Sequence, residues 1–239
     1  MISICRYAAA GIAAAFLASG SAFAATITYA NQASFLAAVG TTIIDDYSNP
    51  GYLRSFGPNP PNFMTDAYMS GVLNETKYIA TLLANKNEVV GPAMGGNPYY
   101  CTGCNGSFDL NFQTTSLSTG GGLFGVSFNY RNGGLLGGTG TFDFLVNFAD
   151  GTSTDYIIAM TALGGQTPDF FGITATQQIK DIYFGVNGKA GLGPIFFVDN
   201  LTIAGAKAVT AVPEPLTLGM FGAGLAGVAA ARRRRVRAN

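Results

Sequence analysis

The amino-acid sequence predicts an all-β protein built as an antiparallel sandwich. Glycine is abundant, with 33 residues, whereas Asp, Glu, Lys and Arg together make up only 11% of the chain. Many short runs are rich in Val, Ile, Phe, Tyr and Thr, the residues that favour strands. Because these runs recur about every ten residues and no helical pattern alternates with them, we expect two packed antiparallel sheets.

The strands and one short helix can be placed along the chain. Alternation is clearest at Phe142, Phe144, Val146 and Phe148, which share one face of a strand. Asp150-Gly151 follows this strand, so we expect a tight hairpin there. The helix is predicted over 31–39, with Asn31 as its N-cap and Gly40 as its end. The predicted strands are 26–29, 41–47, 78–83, 107–113, 123–130, 141–149, 153–159, 169–174, 180–186 and 195–204.

The N-terminal 24 residues have the pattern of a secretory signal peptide. A single cation, Arg6, precedes an apolar run from Tyr7 to Ala18, and the sequence Ala22-Phe23-Ala24 follows. Signal peptidase recognises small residues in this arrangement, so cleavage is predicted between Ala24 and Ala25. The alternative is a first transmembrane helix, but the apolar run is short for one.

The C-terminal end carries a second apolar segment. Residues 216–231 are sixteen uncharged residues, preceded by Val212-Pro213-Glu214-Pro215 and followed by the basic tail 232–239. As a helix the segment would measure roughly 24 Å, a little less than the hydrocarbon core of a bilayer. A permanent anchor, a transient anchor and a buried helix are the alternatives, and the arginines of the tail argue against burial.

The basic tail predicts the orientation of this segment in a membrane. Positive charge at the C-terminal side of an apolar helix stays in the cytoplasm, which places the rest of the chain outside. The tail would thus act as a basic stop at the end of the helix. The residues of this stop are Arg232, Arg233, Arg234 and Arg235.

This three-part tail resembles the PEP-CTERM sorting signal of Gram-negative bacteria that make extracellular polysaccharide. The resemblance implies that exosortase, a membrane-embedded transpeptidase-like enzyme, recognises Pro213, Glu214 and Pro215 and cleaves near them. It also implies that residues 216–231 hold the chain transiently in the inner membrane. The expected destination is the cell envelope or the extracellular (biofilm) matrix, after passage through the secretion machinery and signal peptidase.

The chain between the two signals is expected to form one domain. We place this β-sandwich domain at residues 25–207 and the sorting signal at 208–239. Three stretches of the domain resemble the sandwich bodies common among PEP-CTERM proteins: ASFLAAVGTTIIDDY, DFFGITATQQIKDIYFGV and IFFVDNLTIAG. This looser resemblance implies a jelly-roll-like or lectin-like sandwich.

Charge and composition exclude several function classes. Between Ala25 and Ala211 there are seven Lys and Arg residues and twelve Asp and Glu residues, so the exported body is acidic. It has no basic patch to neutralise phosphates, which argues against nucleic-acid binding. The chain has no histidine, so neither a Ser-His-Asp triad nor a His-ligated zinc site can form.

Two cysteines remain after signal cleavage, Cys101 and Cys104, in the sequence YYCTGCNGS. A C-x-x-C pair also occurs in redox proteins, but there it precedes a helix, and here turn residues follow. Zinc would need two further ligands. In an oxidising compartment we therefore expect a disulfide between Cys101 and Cys104, with a reactive dithiol as the alternative.

The carboxylates offer limited chemistry. Asp45 and Asp46 are adjacent, so on a strand they point to opposite faces and cannot cooperate. Most other carboxylates are expected in solvent-facing turns. Asp199 and Asn200 end a late strand, where they are candidate calcium ligands; the alternative is that Asp199 bonds to backbone N–H groups at a bulge. No cofactor other than calcium is expected.

Tyrosines provide the candidate platform for a sugar, since the chain has no tryptophan. The candidate platform residues are Tyr52, Tyr68, Tyr99, Tyr100 and Tyr130. The function expected from the sequence is therefore a non-enzymatic matrix or surface protein, with glycan binding as its candidate activity. The alternatives are a polysaccharide hydrolase that uses two carboxylates and a self-associating structural matrix protein.

Overall fold

A computed structural model of the chain describes residues 24–55, 61–91, 98–102, 107–118, 120–132, 140–160, 169–185 and 196–208. These residues form mostly strands, as predicted, with two short helices. The helices are α1 (Gln32–Ala38) and α2 (Asp66–Gly71). The strands are β1 (Thr26–Tyr29), β2 (Thr42–Asp45), β3 (Arg54–Ser55), β4 (Lys77–Ala80), β5 (Asn87–Val90), β6 (Tyr99–Thr102), β7 (Phe108–Asn111), β8 (Leu123–Asn132), β9 (Gly140–Phe148), β10 (Ser153–Met160), β11 (Asp169–Phe184) and β12 (Phe196–Ala204).

Helix α1 forms where the sequence predicts it. The side chain of Asn31 accepts a hydrogen bond from the Ser34 N–H at 2.9 Å, as expected of an N-cap. Gly40 follows the helix and donates its N–H to the carbonyl of Gly205. A Cβ atom at Gly40 would lie 2.3 Å from the carbonyl oxygen of Ala206, so only glycine fits this close approach of two backbones.

Helix α1 packs against the sheet through Phe35, which is fully buried. Its ring lies over Gly125 on β8 and Gly172 on β11, where added Cβ atoms would lie 3.2 Å and 3.0 Å from it. Because the two glycines have no side chains, the helix can pack closely on the outer surface of this part of the sheet.

Helix α2 corrects the prediction of a single short helix. The side chain of Thr65 caps it by accepting a hydrogen bond from the Tyr68 N–H, and Asp66 lies in its first turn. With six residues the helix shows less than two turns of apolar periodicity, so the pattern that identifies longer helices is missing. Met69 is its buried contact with the core.

Strand β11 joins the two layers of the sandwich. Its C-terminal part, Asp181–Phe184, lies between β7 and β9, whereas its N-terminal part, Asp169–Thr174, pairs with β8. The first layer has the order β4-β7-β11-β9-β10. The second contains β1, the other half of β11, β8, β12, β2, β6, β5 and β3. The two predicted strands 169–174 and 180–186 are therefore parts of one strand.

Strand pairing is antiparallel as predicted, except for β3 and β5, which pair in parallel through two residues each. The predicted hairpin is confirmed: β9 and β10 pair with Asn147 opposite Ser153. Gly151 has a φ of 85° in the connecting turn, a backbone conformation that glycine adopts readily. The Thr152 N–H donates to Asp150 Oδ1 at 2.9 Å.

The core between the layers is aromatic. Phe144, Val146 and Phe148 of β9 are buried, as their alternation predicts. Phe128 of β8 is packed against rings of both layers, including Phe144 and Phe184. The core side of the strands is thus mostly apolar, and the residues that alternate with these core positions point to the outside.

Candidate functional site

The outside of the first layer presents a polar surface, here called the outer face. It consists of two adjacent cross-strand rows of side chains that alternate with core residues on the five strands of this layer. Cross-strand register arranges them in two rows. One row is Lys77, Asn111, Asp181, Asn147 and Ser153, and the next is Ile79, Asp109, Tyr183, Leu145 and Asp155.

The local sequence determines this orientation. In β7, Phe108 and Leu110 are buried in the core, so Asp109 and Asn111 must point outwards. In β11, Asp181 and Tyr183 are two residues apart and so share the outward side, whereas a register shift between Ile179 and Asp181 allows Ile179 to be buried in the core. The alternating pattern of each strand thus brings together polar residues that are far apart in the sequence.

Asp181 is held in place by its neighbours. It accepts a short hydrogen bond from the side-chain amide of Asn147, which lies directly opposite on β9. Lys180 forms an ion pair with it, with 3.4 Å between Nζ and Oδ2. Although Asp181 is buried, its charge is therefore compensated within the sheet.

Asp109 has a different environment. Its Oδ1 atom is buried and accepts no hydrogen bond within the described part of the chain. Burial and, to a smaller extent, the negative charge of Asp181 raise the pKa of Asp109 from 3.8 to about 7, although Lys180 opposes the shift. At neutral pH this carboxyl group is thus protonated in about half of the molecules, as follows from a pKa close to the pH.

This pKa predicts that the protein loses stability as pH rises. Between pH 4 and pH 7 the folded state holds a proton on Asp109 that the unfolded chain has released, so stability falls across this range. Asp109→Asn mimics the protonated side chain and should raise the free energy of unfolding at pH 8 by about 2–4 kcal/mol, with no gain at pH 4. Urea unfolding at both pH values measures the effect. Equal gains at both pH values, or a gain of the same size from the exposed Asp155→Asn control, would contradict it.

The predicted tyrosine platform is wrong. Tyr52, Tyr99, Tyr100 and Tyr130 are buried, because each ring packs among other aromatic rings. Only Tyr68 is exposed, at 48%, and its hydroxyl donates to the carbonyl of Gly51. These five residues therefore do not form a joint sugar-binding surface.

Two of the buried tyrosine hydroxyls bind a carboxylate in the core. Asp45 accepts hydrogen bonds from Tyr52 Oη at 2.5 Å and Tyr78 Oη at 2.8 Å. Burial raises the pKa of Asp45, and these hydrogen bonds partly oppose the shift. The cavity beside Asp45 has a volume of about 10 Å³, which holds one water molecule and no sugar. We therefore regard Asp45 as part of the core.

From the sequence, most carboxylates were expected in solvent-facing turns. Several of them are buried instead. The buried ones are Asp45, Glu88, Asp181 and Asp199. Asp46 does behave as a turn residue, because its Oδ1 accepts hydrogen bonds from the backbone and hydroxyl of Ser48. The adjacent Asp45 and Asp46 thus have separate partners, in agreement with the expectation that they do not cooperate.

Asp199 and Asn200 lie at a bulge of β12, between register positions Asp199 and Thr202. Asn200 has a φ of 49°, and its N–H donates to Asp199 Oδ1 at 2.7 Å. This arrangement is the bulge that the sequence left as an alternative. Within the described ranges, no group of three or more His, Cys, Asp or Glu side chains is placed to hold a metal ion. Calcium at this position stays a prediction.

Of the two cysteines, Cys101 is described and lies buried in β6, with its Sγ 3.8 Å from Glu88 Oε2. Cys104 lies outside the described residues. The disulfide between Cys101 and Cys104 therefore stays a prediction.

The ends of the domain are fastened to the second layer. Ala25, the predicted first residue after cleavage, donates its N–H to Thr176 Oγ1 and accepts a hydrogen bond from the Thr176 N–H. At the other end, Lys207 Nζ donates to the carbonyl of Ala37 in α1. Residues at both ends of the described domain are thus hydrogen-bonded to other parts of the domain.

The two predicted signals flank the described domain. The described part contains no helix long and apolar enough to cross a membrane. Residues 1–23 of the predicted signal peptide (1–24) and the whole predicted helix 216–231 lie outside the described residues, so both stay predictions. The predicted basic stop lies outside them as well, and its residues are Arg232, Arg233, Arg234 and Arg235.

The described domain and the C-terminal sequence define a β-sandwich protein that carries a sorting signal. Residues 211–235 match the family model of the PEP-CTERM protein-sorting motif, so the predicted motif is confirmed. The match begins just before Val212-Pro213-Glu214-Pro215 and ends at the last of the four arginines, Arg232, Arg233, Arg234 and Arg235. The motif implies an exported protein that is processed at the cell envelope, with exosortase as the processing partner.

No curated protein matches the chain. Among solved structures, it is similar to a family 11 carbohydrate-binding module from Clostridium thermocellum, in complex with a β-1,3-1,4-mixed-linked tetrasaccharide. The identity is 15%, the match covers 55% of this chain and 85% of that one, and the TM-score is 0.27.

Proposed function

We propose that this chain is a non-enzymatic protein of the extracellular matrix in a Gram-negative bacterium, and that its domain binds polysaccharide. The signal peptide of residues 1–24 directs export, and the helix 216–231 holds the chain in the inner membrane until exosortase cleaves near Pro213-Glu214-Pro215. The released or transferred domain, a jelly-roll-like or lectin-like sandwich, then acts in the polysaccharide or biofilm matrix. The sorting motif supports the route, and the outer face supports the activity.

The observation that carries the binding proposal is the arrangement of the outer face around Tyr183. Carboxylate and amide side chains from neighbouring strands surround this half-buried tyrosine. Sugar hydroxyls both donate and accept hydrogen bonds, as these side chains require, and an aromatic ring offers an apolar surface with a polar end. Five strands at a spacing of about 4.8 Å make a surface roughly 19 Å wide, so several sugar units fit across it.

Removing the ring of Tyr183 tests this proposal. Tyr183→Ala should weaken binding to the matrix polysaccharide of the producing cells by about tenfold, which equals about 1.4 kcal/mol. The ring lies outside the core, so the domain should still fold. Affinity electrophoresis of the exported protein, in gels with and without the polysaccharide, measures binding.

Tyr68→Ala is the matched control, because Tyr68 is an exposed tyrosine on α2 and is not one of the ten outer-face residues. It should bind like the parent protein. If Tyr183→Ala retains the parent affinity, or if Tyr68→Ala loses as much, the outer face is not the binding site.

A polysaccharide hydrolase is the second candidate function, and one observation favours it. Asp109, whose pKa is about 7, lies near Asp181, whose charge contributes to that shift. Glycoside hydrolases use a protonated carboxyl group beside an ionised one. Release of reducing ends from the same polysaccharide tests this function. Activity that Asp109→Asn abolishes would establish hydrolysis, whereas binding without any release supports the non-enzymatic proposal.

A further inference from the structure

We infer that the outer face selects uncharged polysaccharides and rejects those that carry carboxylate or sulfate groups. The inference rests on the proposed function, since it specifies the ligand of the same face. It follows from the charges on the face and from the partners that these charges already have.

The outer face carries more negative than positive charge. Three of its ten side chains are aspartates, namely Asp109, Asp155 and Asp181, and one is a lysine, Lys77. Asp155 is exposed on β10. Lys180 compensates the charge of Asp181. The remaining charges of the face are those of Asp155, of Asp109 when it is ionised, and of Lys77. A polyanion laid across the face therefore meets like charges.

The cations close to the face are poorly placed to receive an anion. Lys180 is paired with Asp181 at 3.4 Å, and Lys77 lies on β4, the outermost strand at one side of the layer. None of the ten outer-face residues is arginine, whose planar guanidinium group is the usual donor to carboxylates and sulfates. An acidic sugar would thus lose its hydration without gaining a bidentate partner.

An uncharged polysaccharide is not repelled by the carboxylates of the outer face and can bond to them. Its hydroxyl groups donate hydrogen bonds, and hydrogen bonds to an ionised carboxylate such as that of Asp155 are stronger than those between neutral groups. The side chain of Asn111, in the same row as Asp181, both donates and accepts. The face therefore offers hydroxyl groups good partners while it repels negative charge.

Polymers with the same backbone but different charge provide the test. The exported protein is run in affinity gels that contain hydroxyethyl cellulose or carboxymethyl cellulose, dextran or carboxymethyl dextran, and the matrix polysaccharide of the producing cells. In each pair that binds, we expect about tenfold tighter binding to the uncharged member, corresponding to about 1.4 kcal/mol. The difference in affinity between the two members of a pair should become smaller at high salt, because screening weakens the repulsion between the outer face and the charged polymer.

Charge-reversal variants show whether the outer face causes the selection. Asp155→Lys should reduce the difference in affinity between the uncharged and the charged polymer of a pair by several-fold. Asp46→Lys makes the same change of net charge outside the outer face and should leave the difference unaltered.

The outcomes separate the two proposals. Equal or tighter binding to a carboxymethylated polymer would overturn the inference while leaving polysaccharide binding intact. Equal effects of Asp155→Lys and Asp46→Lys would also overturn it, because overall charge rather than the face would then select the ligand. Absence of binding to every polymer tested would overturn the proposed function and this inference with it.

Discussion

Phe128→Ala is expected to lower the free energy of unfolding of the domain by about 3–5 kcal/mol. The side chain has no exposed surface and contacts aromatic residues from both layers. The ring centroids of its partners lie 5.3–6.4 Å away, and these partners are Tyr130, Phe144, Phe171, Phe184 and Phe196. Alanine would leave a cavity that the surrounding rings, which are fixed on β8, β9, β11 and β12, cannot close.

Urea unfolding followed by far-UV circular dichroism measures this loss, and tyrosine fluorescence offers a second probe because the chain has no tryptophan. Phe63→Ala is the matched control, since Phe63 is 39% exposed and should cost less than about 1 kcal/mol. A loss at Phe128 no larger than at Phe63 would mean that the two layers do not meet at this ring.

The second large effect concerns export. Glu214→Gln keeps the size of the side chain and removes its charge, within the motif that is matched at residues 211–235. We expect it to abolish processing, so that a full-length, membrane-retained form accumulates. Immunoblots of membrane and extracellular fractions measure size and location. Deletion of the basic stop should have the same result, because its cations form the third part of the signal; the deleted residues are Arg232, Arg233, Arg234 and Arg235.

Lys207→Gln is the control for this experiment, because it also replaces one charged residue close to the tail but lies before the motif. It should be processed and released like the parent protein. Release of Glu214→Gln at the mature size would contradict the sorting proposal.

Most strands could be predicted because one of their faces is buried and the other is polar. Strand β9 shows this most clearly, and its observed bounds, Gly140–Phe148, differ by one residue from the prediction at each end. Strands β5 and β6 were missed because they are buried on both faces and have only four residues each. They therefore lack alternation, and the turn residues around them dominate the local pattern.

The outer face was harder to predict than the strands. Asp109 and Asp181 are 72 positions apart in the sequence, and only the pairing of β7 with β11 brings them close. Asp109 alternates with the buried Phe108 and Leu110, but this pattern does not identify its neighbour, and most carboxylates were expected in turns. The prediction of an exposed tyrosine platform was wrong for a physical reason. A buried tyrosine hydroxyl can bond to a carboxylate such as that of Asp45, so an amphipathic ring need not lie at the surface.

The hydrogen bonds that the chain makes just after β12 bear on the proposed membrane-held stage of export. Gly205 and Lys207 bond to the segment around α1, and α1 packs on the outside of the second layer. The described chain therefore ends on the side of the sandwich opposite to Tyr183. In the proposed route of export, the outer face would therefore be open to polysaccharide before the sorting signal is cleaved.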